Sequence, residues 1–422
     1  MKATINATEL KAALRAAKYC WDHETQLPIL HTFRIEAQSD GLELQATCLQ
    51  NHFKARLLNV AVESPGVAQL PVKTLLDLAK KAKHGQSLTI ETTGESATLS
   101  LNGSRIVASN LLSPDDFPEP PEMKANKKGG QEVVEVMFLN GVLSRAIDHC
   151  LAAIPVRDPR KILLGACFDF TDPEKPVVVS TDGKIMAKYE IATEDVEIGK
   201  SKNPLRVTIP TQALRCLLNF PESKFLSMKI LVQHYSPSKR YLAAPDDYLR
   251  AEFRAWDSVL LTSPTCGTYP NWNMVIPSGF EYFMKLESAP ALEVLSGARP
   301  YVDDFNRAVV LSPKWKAVTV DSGCWEKGTY RGEIALAESL GDPAPKQIAF
   351  NVGYLTDAIS AFDKKAMVTI GVNNPKSPVI FTCEAEPEKL ILVMPVGLRP
   401  VEEECSEPET ESEESEVAAV AN

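Results

Sequence analysis

What this chain lacks narrows it before anything it contains. Its nine cysteines are odd in number, scattered from Cys20 to Cys405 and never spaced as CxxC. Neither a disulfide framework nor a zinc site is expected, and no cofactor is called for. No stretch approaches the ~18 consecutive apolar residues of a membrane helix. The opening MKATINATELKAALRAAKY has no apolar core before a cleavage site, so a cytoplasmic protein without membrane partners is expected. GxSxG, GxxxxGKS/T and HExxH are all missing, and the paired carboxylates Asp115 and Asp116 lie in a proline-rich turn. An enzyme is therefore not the expected reading.

Positive charge is also short, but unevenly. The net charge is −10, yet residues 402–416 alone hold nine Glu and no Lys or Arg, and setting those nine aside leaves −1. So acidic a tail, with Pro and Ser, cannot bury enough surface to offset ordering entropy, and residues 401–422 are expected to be disordered. Its simplest role is solvation. A competing role is electrostatic interference at the apolar run LILVMPVGLRP, residues 390–400, which immediately precedes it.

Three segments look alike: LPVKTLLDLAKK at 70–81, IPTQALRCLLNF at 209–220 and FNVGYLTDAISAF at 350–362, separated by 139 and 141 residues. Each pairs an apolar entry with an amphipathic helix pattern and leads into alternating, strand-like sequence. A second helix is expected upstream of each. TELKAALRAAKYCW at 8–21 starts at a Thr cap and sets Leu10, Ala13, Leu14 and Ala17 on one face. LNGVLSRAIDHCLAA at 139–153 follows suit with Leu139, Leu143, Ile147 and Leu151, whereas FMKLESAPALEVLSGARP at 283–300 is expected to be short or kinked at Pro290 and Gly297. The fold class is α+β: three repeated units, each two helices on a mostly antiparallel sheet. The boundaries are 1–124, 131–278 and 279–400, followed by the tail.

Basic residues then have an address. Lys11, Arg15 and Lys18 form one stripe on the first helix; Lys73, Lys80, Lys81 and His84 share a face of the second, interrupted by Asp77. Arg145, His149 and Arg215 extend the theme into the second unit. A stripe on one helix is ordinarily its solvated face. Recurrence in a chain whose body is neutral points to phosphate backbones, held by Lys and Arg without sequence readout.

At this point the residues carry a resemblance. LPIL at 27–30, LPVKTLLDLAKK, LSPDDFPEPP at 112–121, STDGKIMA at 180–187, TYPNWNMVIP at 268–277, FNVGYL at 350–355 and VMPVGL at 393–398 occur in an order and spacing that resembles the bacterial sliding clamps, the β subunits of DNA polymerase III. The resemblance implies three DNA-clamp domains per chain and half a ring in each copy. Two chains would close head to tail into a homodimer, an edge strand around Arg105 to Asn110 pairing with the third domain of the other copy. It implies a processivity factor that encircles duplex DNA without sequence preference and tethers the replicative polymerase. The clamp loader and repair proteins would be further partners, through short hydrophobic peptides.

Carried over residue by residue, the peptide groove comprises Leu163, Thr181, Gly183, Lys184, Met186, Pro270, Met274, Val275, Val393, Met394, Pro395, Val396 and Leu398. Alternate residues of the last run are expected to face the core instead. Arg157, Arg160 and Lys161, in the loop VRDPRK, would reach DNA with the helical residues. Departures are visible. Lys184, Ile185 and Met186 replace the family's usual His, Arg and Leu, Met274 replaces a basic residue, and Glu24 stands where an arginine often touches DNA. The second domain is enlarged around QHYSPSKRYLAAPDDYLRAEFRAW, and the chain runs 24 residues past the hydrophobic motif. A clamp-fold peptide-binding regulator that no longer encircles DNA is the alternative; dimerisation and retention on circular DNA separate the two.

Overall fold

Apolar residues at helical spacing end up on one buried stripe. In the computed structural model, which describes residues 1–126, 131–201, 205–220, 225–234, 246–341 and 345–397, Leu10, Ala13, Leu14 and Ala17 are all buried along α1 (Ala7–Ala17). Asn6 rather than Thr8 caps this helix, its side chain accepting from the Thr8 N–H at 2.9 Å. Asn and Thr both cap well, and the earlier of the two leaves the strand at the right point. Each leucine fully removed from water contributes roughly 1.5–3 kcal/mol, so the stripe decides which face turns inward.

The first unit runs β1 (Lys2–Asn6), α1, β2 (Thr32–Gln38), β3 (Gly41–Thr47), β4 (Asn51–Leu57), β5 (Val60–Ser64), β6 (Gly66–Pro71), α2 (Val72–Lys81), β7 (Ser87–Thr93), β8 (Ser96–Leu101) and β9 (Ser104–Ala108). The second repeats this order: β10 (Gln131–Leu139), α3 (Val142–Leu151), β11 (Gly165–Phe170), β12 (Val177–Thr181), β13 (Ile185–Glu190), β14 (Val196–Ile198), β15 (Leu205–Pro210), α4 (Thr211–Leu217), β16 (Phe225–His234), β17 (Asp246–Ala255) and β18 (Ser258–Thr262). The third is β19 (Tyr282–Glu287), α5 (Ser288–Ala298), β20 (Ala308–Pro313), β21 (Ala317–Cys324), β22 (Gly328–Leu340), β23 (Ile348–Asn351), α6 (Val352–Ser360), β24 (Met367–Val372), β25 (Val379–Cys383) and β26 (Lys389–Val393). There β22, 13 residues long, spans what two strands span in the other units.

The expectation that the third unit's first helix is short or kinked does not hold: α5 has 11 residues, as many as α1. Pro290 lies in its first turn, where backbone N–H groups have no partner within the helix in any case. Gly297 is a packing residue, since a Cβ there would lie 2.7 Å from the Tyr330 hydroxyl.

Three sheets result among the described residues. One has the order β5-β1-β7-β8-β9, the second β14-β10-β16-β17-β18-β4-β3-β2-β6, and the third β15-β11-β12-β13-β26-β25-β24-β19-β22-β21-β20-β23. Two of them cross unit boundaries by the same device. The last strand of one unit pairs antiparallel with the fourth strand of its predecessor: β18 with β4, Ser258 opposite Ala55, and β26 with β13, Val393 opposite Ile185. Among the described residues the outer edge of β9 and the corresponding edge of β22 over Gly328–Ala335 have no such partner. The helices lie together, α1 against α2, α3 against α4 and α5 against α6, with α1 also touching α4. No helix among the described residues is long and apolar enough to cross a membrane.

Candidate nucleic-acid interface and peptide groove

The helical layer carries the basic residues outward because the leucines hold the opposite stripe inside. Arg15, Lys18, Lys73, Lys80, Lys81 and Arg215 are exposed and Lys11 is half-buried. Lys80 Nζ lies 3.2 Å from Asp77 Oδ1, an exposed pair of small energetic weight that leaves both groups available to other ions. Lys18 and Arg215, from different units, flank one cleft. Glu24 is exposed in the loop after α1, its N–H donating to Asp22 Oδ1.

Two other residues of the expected set, Arg145 and Arg160, differ in being held by protein partners. Arg145 is exposed but engaged, donating from Nη1 to Asn140 O at 2.7 Å and from Nε to the Tyr189 hydroxyl at 3.3 Å, and its Nη2 lies 3.4 Å from Asp195. Arg160 grips Asp158 with two bonds of 2.9 Å and reaches Asp182 O at 3.0 Å. Its side-chain hydrogen bonds hold the Asp158 carboxyl down to about 2. Arg157 and Lys161 on the same loop are exposed.

His149 is a correction. It is only 3% exposed, its Nε2–H donating to Leu390 O at 3.2 Å and its ring standing 6.2 Å from that of Phe362. Burial pushes its pKa down to about 4, so it is neutral near pH 7 and joins the second and third units instead of facing phosphate. Helical spacing from Arg145 put it on a plausible stripe; the third unit, invisible to that spacing, covers it.

On the far side of the sheet a second apolar cluster stands apart from the main core. Leu163, Cys167, Val177, Val179, Met186, Tyr269, Ile380 and Leu392 are buried in it, with Ile162, Trp272, Ile276, Phe280, Leu390 and Met394 partly exposed against it. The segment 265–281 lies across the cluster and is pinned where the Trp272 Nε1–H donates to Asp169 Oδ2 at 3.3 Å. Met274, 80% exposed, Val275 and Pro270 project from that segment. The TDG turn forms the rim. Thr181 Oγ1 accepts from the Gly183 N–H, Asp182 Oδ1 accepts from Lys184 and Ile185, and Asp182 Oδ2 accepts from the Tyr354 hydroxyl at 2.7 Å. Gly183 has φ +92°, a conformation that favours glycine.

After β26 the chain stays extended, with Met394 N–H donating to Lys184 O and Val396 N–H to Ala349 O, both at 2.8 Å. Leu390, Leu392 and Met394 face the cluster, whereas Ile391 and Val393 face the main core. Val393 is thus corrected: it is a core residue, placed there by the two-residue period of the strand. Pro395 and Val396 are half-buried. Leu398 and the tail 401–422 lie outside the described residues. Sequence reasoning missed Leu390 and Leu392, which counting back from Met394 in steps of two would have found, and Tyr269 and Trp272, which flank Pro270. Ile380 arrives from β25 and had no local signal.

The fold and site define a class: a three-unit α+β clamp with a basic helical face and an apolar groove at the junction of its second and third units. Sequence comparison agrees. The model of the DNA polymerase III beta subunit, N-terminal domain, matches residues 1–121, and that of its C-terminal domain matches residues 273–397. The beta sliding clamp of Synechococcus elongatus is 26% identical over 408 residues, covering 94% of this chain and all of the relative, and that of Proteus mirabilis is 23% identical with the same coverage. Among solved structures, the DNA polymerase III beta subunit of Thermotoga maritima superposes with a TM-score of 0.75 at 16% identity. A Pseudomonas aeruginosa sliding clamp bound to griselimycin gives 0.75 at 18%; each comparison covers 94% of this chain and all of the other. The chain belongs to the DNA polymerase III β-subunit family of sliding clamps.

Proposed function

We infer that this protein is a replication sliding clamp: two copies close head to tail around duplex DNA and tether a DNA polymerase to it. The observation that carries the reading is the pair of open edges. Both internal junctions are made by one rule, and applying it a third time sets β9 of one copy against β22 of the other, with Ile106 and Val107 exposed on the strand that must be covered. Repeating the operation in both copies closes the circle and leaves neither edge open. The units taken to form each half-ring are 1–124, 131–278 and 279–400.

The basic helical face supports DNA binding through Lys11, Arg15, Lys18, Lys73, Lys80, Lys81, Arg157, Lys161 and Arg215, diffuse contacts that permit sliding because they read no sequence. The cluster under segment 265–281 supports docking of short hydrophobic peptides from polymerase, clamp loader and repair proteins, since apolar surface with Met walls adapts to several sequences. The protein would act in the cytoplasm at the replicating nucleoid, as a non-catalytic accessory subunit.

The test is loading onto nicked circular plasmid with a cognate loader and ATP, followed by gel filtration before and after linearisation. Co-elution with the circle and release on cutting is expected. Failure to co-elute with the circle, using a loader active on its own clamp, would favour a peptide-binding regulator instead. Glu24 and the absence of Lys and Arg from α5 and α6 are what favour that second reading.

A further inference from the structure

A cleft of about 670 Å³ opens on the helical face where the residues after α1 meet α4 and the end of α3. Its composition differs from that of the basic stripes around it. Tyr19 and Trp21 supply aromatic surface, Leu151 and Val156 an aliphatic wall, and Lys18 and Arg215 stand at the cleft as cations. Trp21 is held in place: its Nε1–H donates to His31 Nδ1 at 3.2 Å, while His31 Nε2–H donates to Thr25 O at 3.0 Å. One neutral tautomer of His31 satisfies both bonds, so the indole is oriented before any ligand arrives. Lys18 Nζ lies 4.7 Å from the Tyr19 ring centroid. Val156 is 91% exposed, an aliphatic residue on a loop tip with nothing of its own to cover it.

An oriented aromatic wall, an uncovered aliphatic one and two cations within a single cleft suit a flat π-system that carries an anion. Duplex DNA does not offer that group, because its bases are stacked on each other and only its phosphates face outward. A strand with unpaired bases does: ring faces for Trp21 and Tyr19, phosphates for Lys18 and Arg215. We propose that this cleft takes an unpaired nucleobase of single-stranded DNA. It deepens the clamp reading, giving the ring a preference for the strand end or junction over plain duplex, and rests on that reading for its biological setting but not for the binding itself.

The test uses the full-length protein at low salt and fluorescence anisotropy with labelled oligothymidylate of about twelve nucleotides, compared with an abasic strand of equal length and with thymidine monophosphate as competitor. The wild type is expected to bind oligothymidylate about tenfold more tightly than the abasic strand, since one stacked base is worth roughly that factor. Trp21→Ala is expected to lose that advantage and Trp21→Phe to keep most of it. Val156→Glu, at a residue too exposed to endanger folding, is expected to lose it as well. Competition by the monophosphate at concentrations comparable to the strand would reassign the site to free nucleotides and overturn the proposal. Equal affinity of the wild type for thymidine and abasic strands, or unaltered discrimination in both Trp21→Ala and Val156→Glu, would also overturn it. Loss of the ring reading shows elsewhere, as failure of the wild type to be retained on circular plasmid, and leaves the base discrimination to be judged on its own.

Discussion

The first and third units share a fold but not a solvent face. α1 and α2 carry Lys11, Arg15, Lys73, Lys80 and Lys81, whereas α5 and α6 carry no Lys or Arg and present Glu293 and Asp357. Their buried faces are nonetheless equivalent: Leu75 and Leu78 in α2 correspond to Leu355 and Ala358 in α6. Packing prescribes one side of each helix and leaves the other to whatever it meets. The two units also differ in how they fasten to the middle one. The first uses Cys20 against Cys216 and the Phe53–Phe220 ring pair; the third uses His149 against Phe362.

The largest effect should come from the edges where first and third units are proposed to meet across the ring. The pair Ile106→Asp and Val107→Asp puts two charges into that seam and is expected to weaken dimerisation a hundredfold or more, read by sedimentation equilibrium. An unchanged dimer would mean that these units do not face each other.

Next is the His149 fastening. The folded pKa, about 4, lies below the ordinary 6.5 because burial disfavours the charged ring. The unfolded chain therefore takes up the proton first as pH falls. This residue's contribution is full above pH 6.5 and is lost as pH drops from there towards 4, a swing of about 3 kcal/mol at most. Wild type should lose thermal stability over that window, and His149→Phe should lose distinctly less. Parallel curves for the two proteins would place the acid sensitivity elsewhere.

Within the third unit, alternate residues of one strand should separate stability from binding. Val393→Ala is expected to cost about 2 kcal/mol of folding stability with peptide affinity intact. Met394→Ala should do the reverse, with a several-fold loss of affinity for a polymerase-derived peptide by calorimetry and a small change in melting. The smallest effect belongs to charge on the helical faces. Lys73→Ala and Lys81→Ala should each lower the salt slope of duplex binding by about one contact. Glu293→Lys should add to binding if the third unit also faces DNA, and leave it unchanged if only the first two do.

Much was legible in residues that act locally. The helices at 7–17, 72–81 and 352–360 follow their apolar stripes, and the threefold repeat followed from segment spacing. The third unit's first helix escapes a local reading because proline and glycine ordinarily break helices. A proline in the first turn forfeits no helical hydrogen bond, and Gly297 is there to admit the Tyr330 ring. In the groove, the sequence marks the run but not which alternate set, Met394 or Val393, faces outward, since a strand's two faces look alike until something packs against one of them.

By itself, then, the sequence determined the periodicities: which residues make helices, which make strands, how often the unit repeats, and where charge is scarce. Helices and strands depend on neighbours two to four positions away, and the repeat on the recurrence of such patterns along the chain. Only the tertiary structure decided that Arg160 reaches the carbonyl of Asp182, that His149 is covered by the third unit, and that Trp21 is set by His31. It alone brought Lys18 and Arg215, nearly two hundred positions apart, to one cleft. The covering of His149 and the meeting of Lys18 with Arg215 turn on partners that strand pairing between units brings together, and a residue's exposure is a property of what lands on it, which no local pattern records.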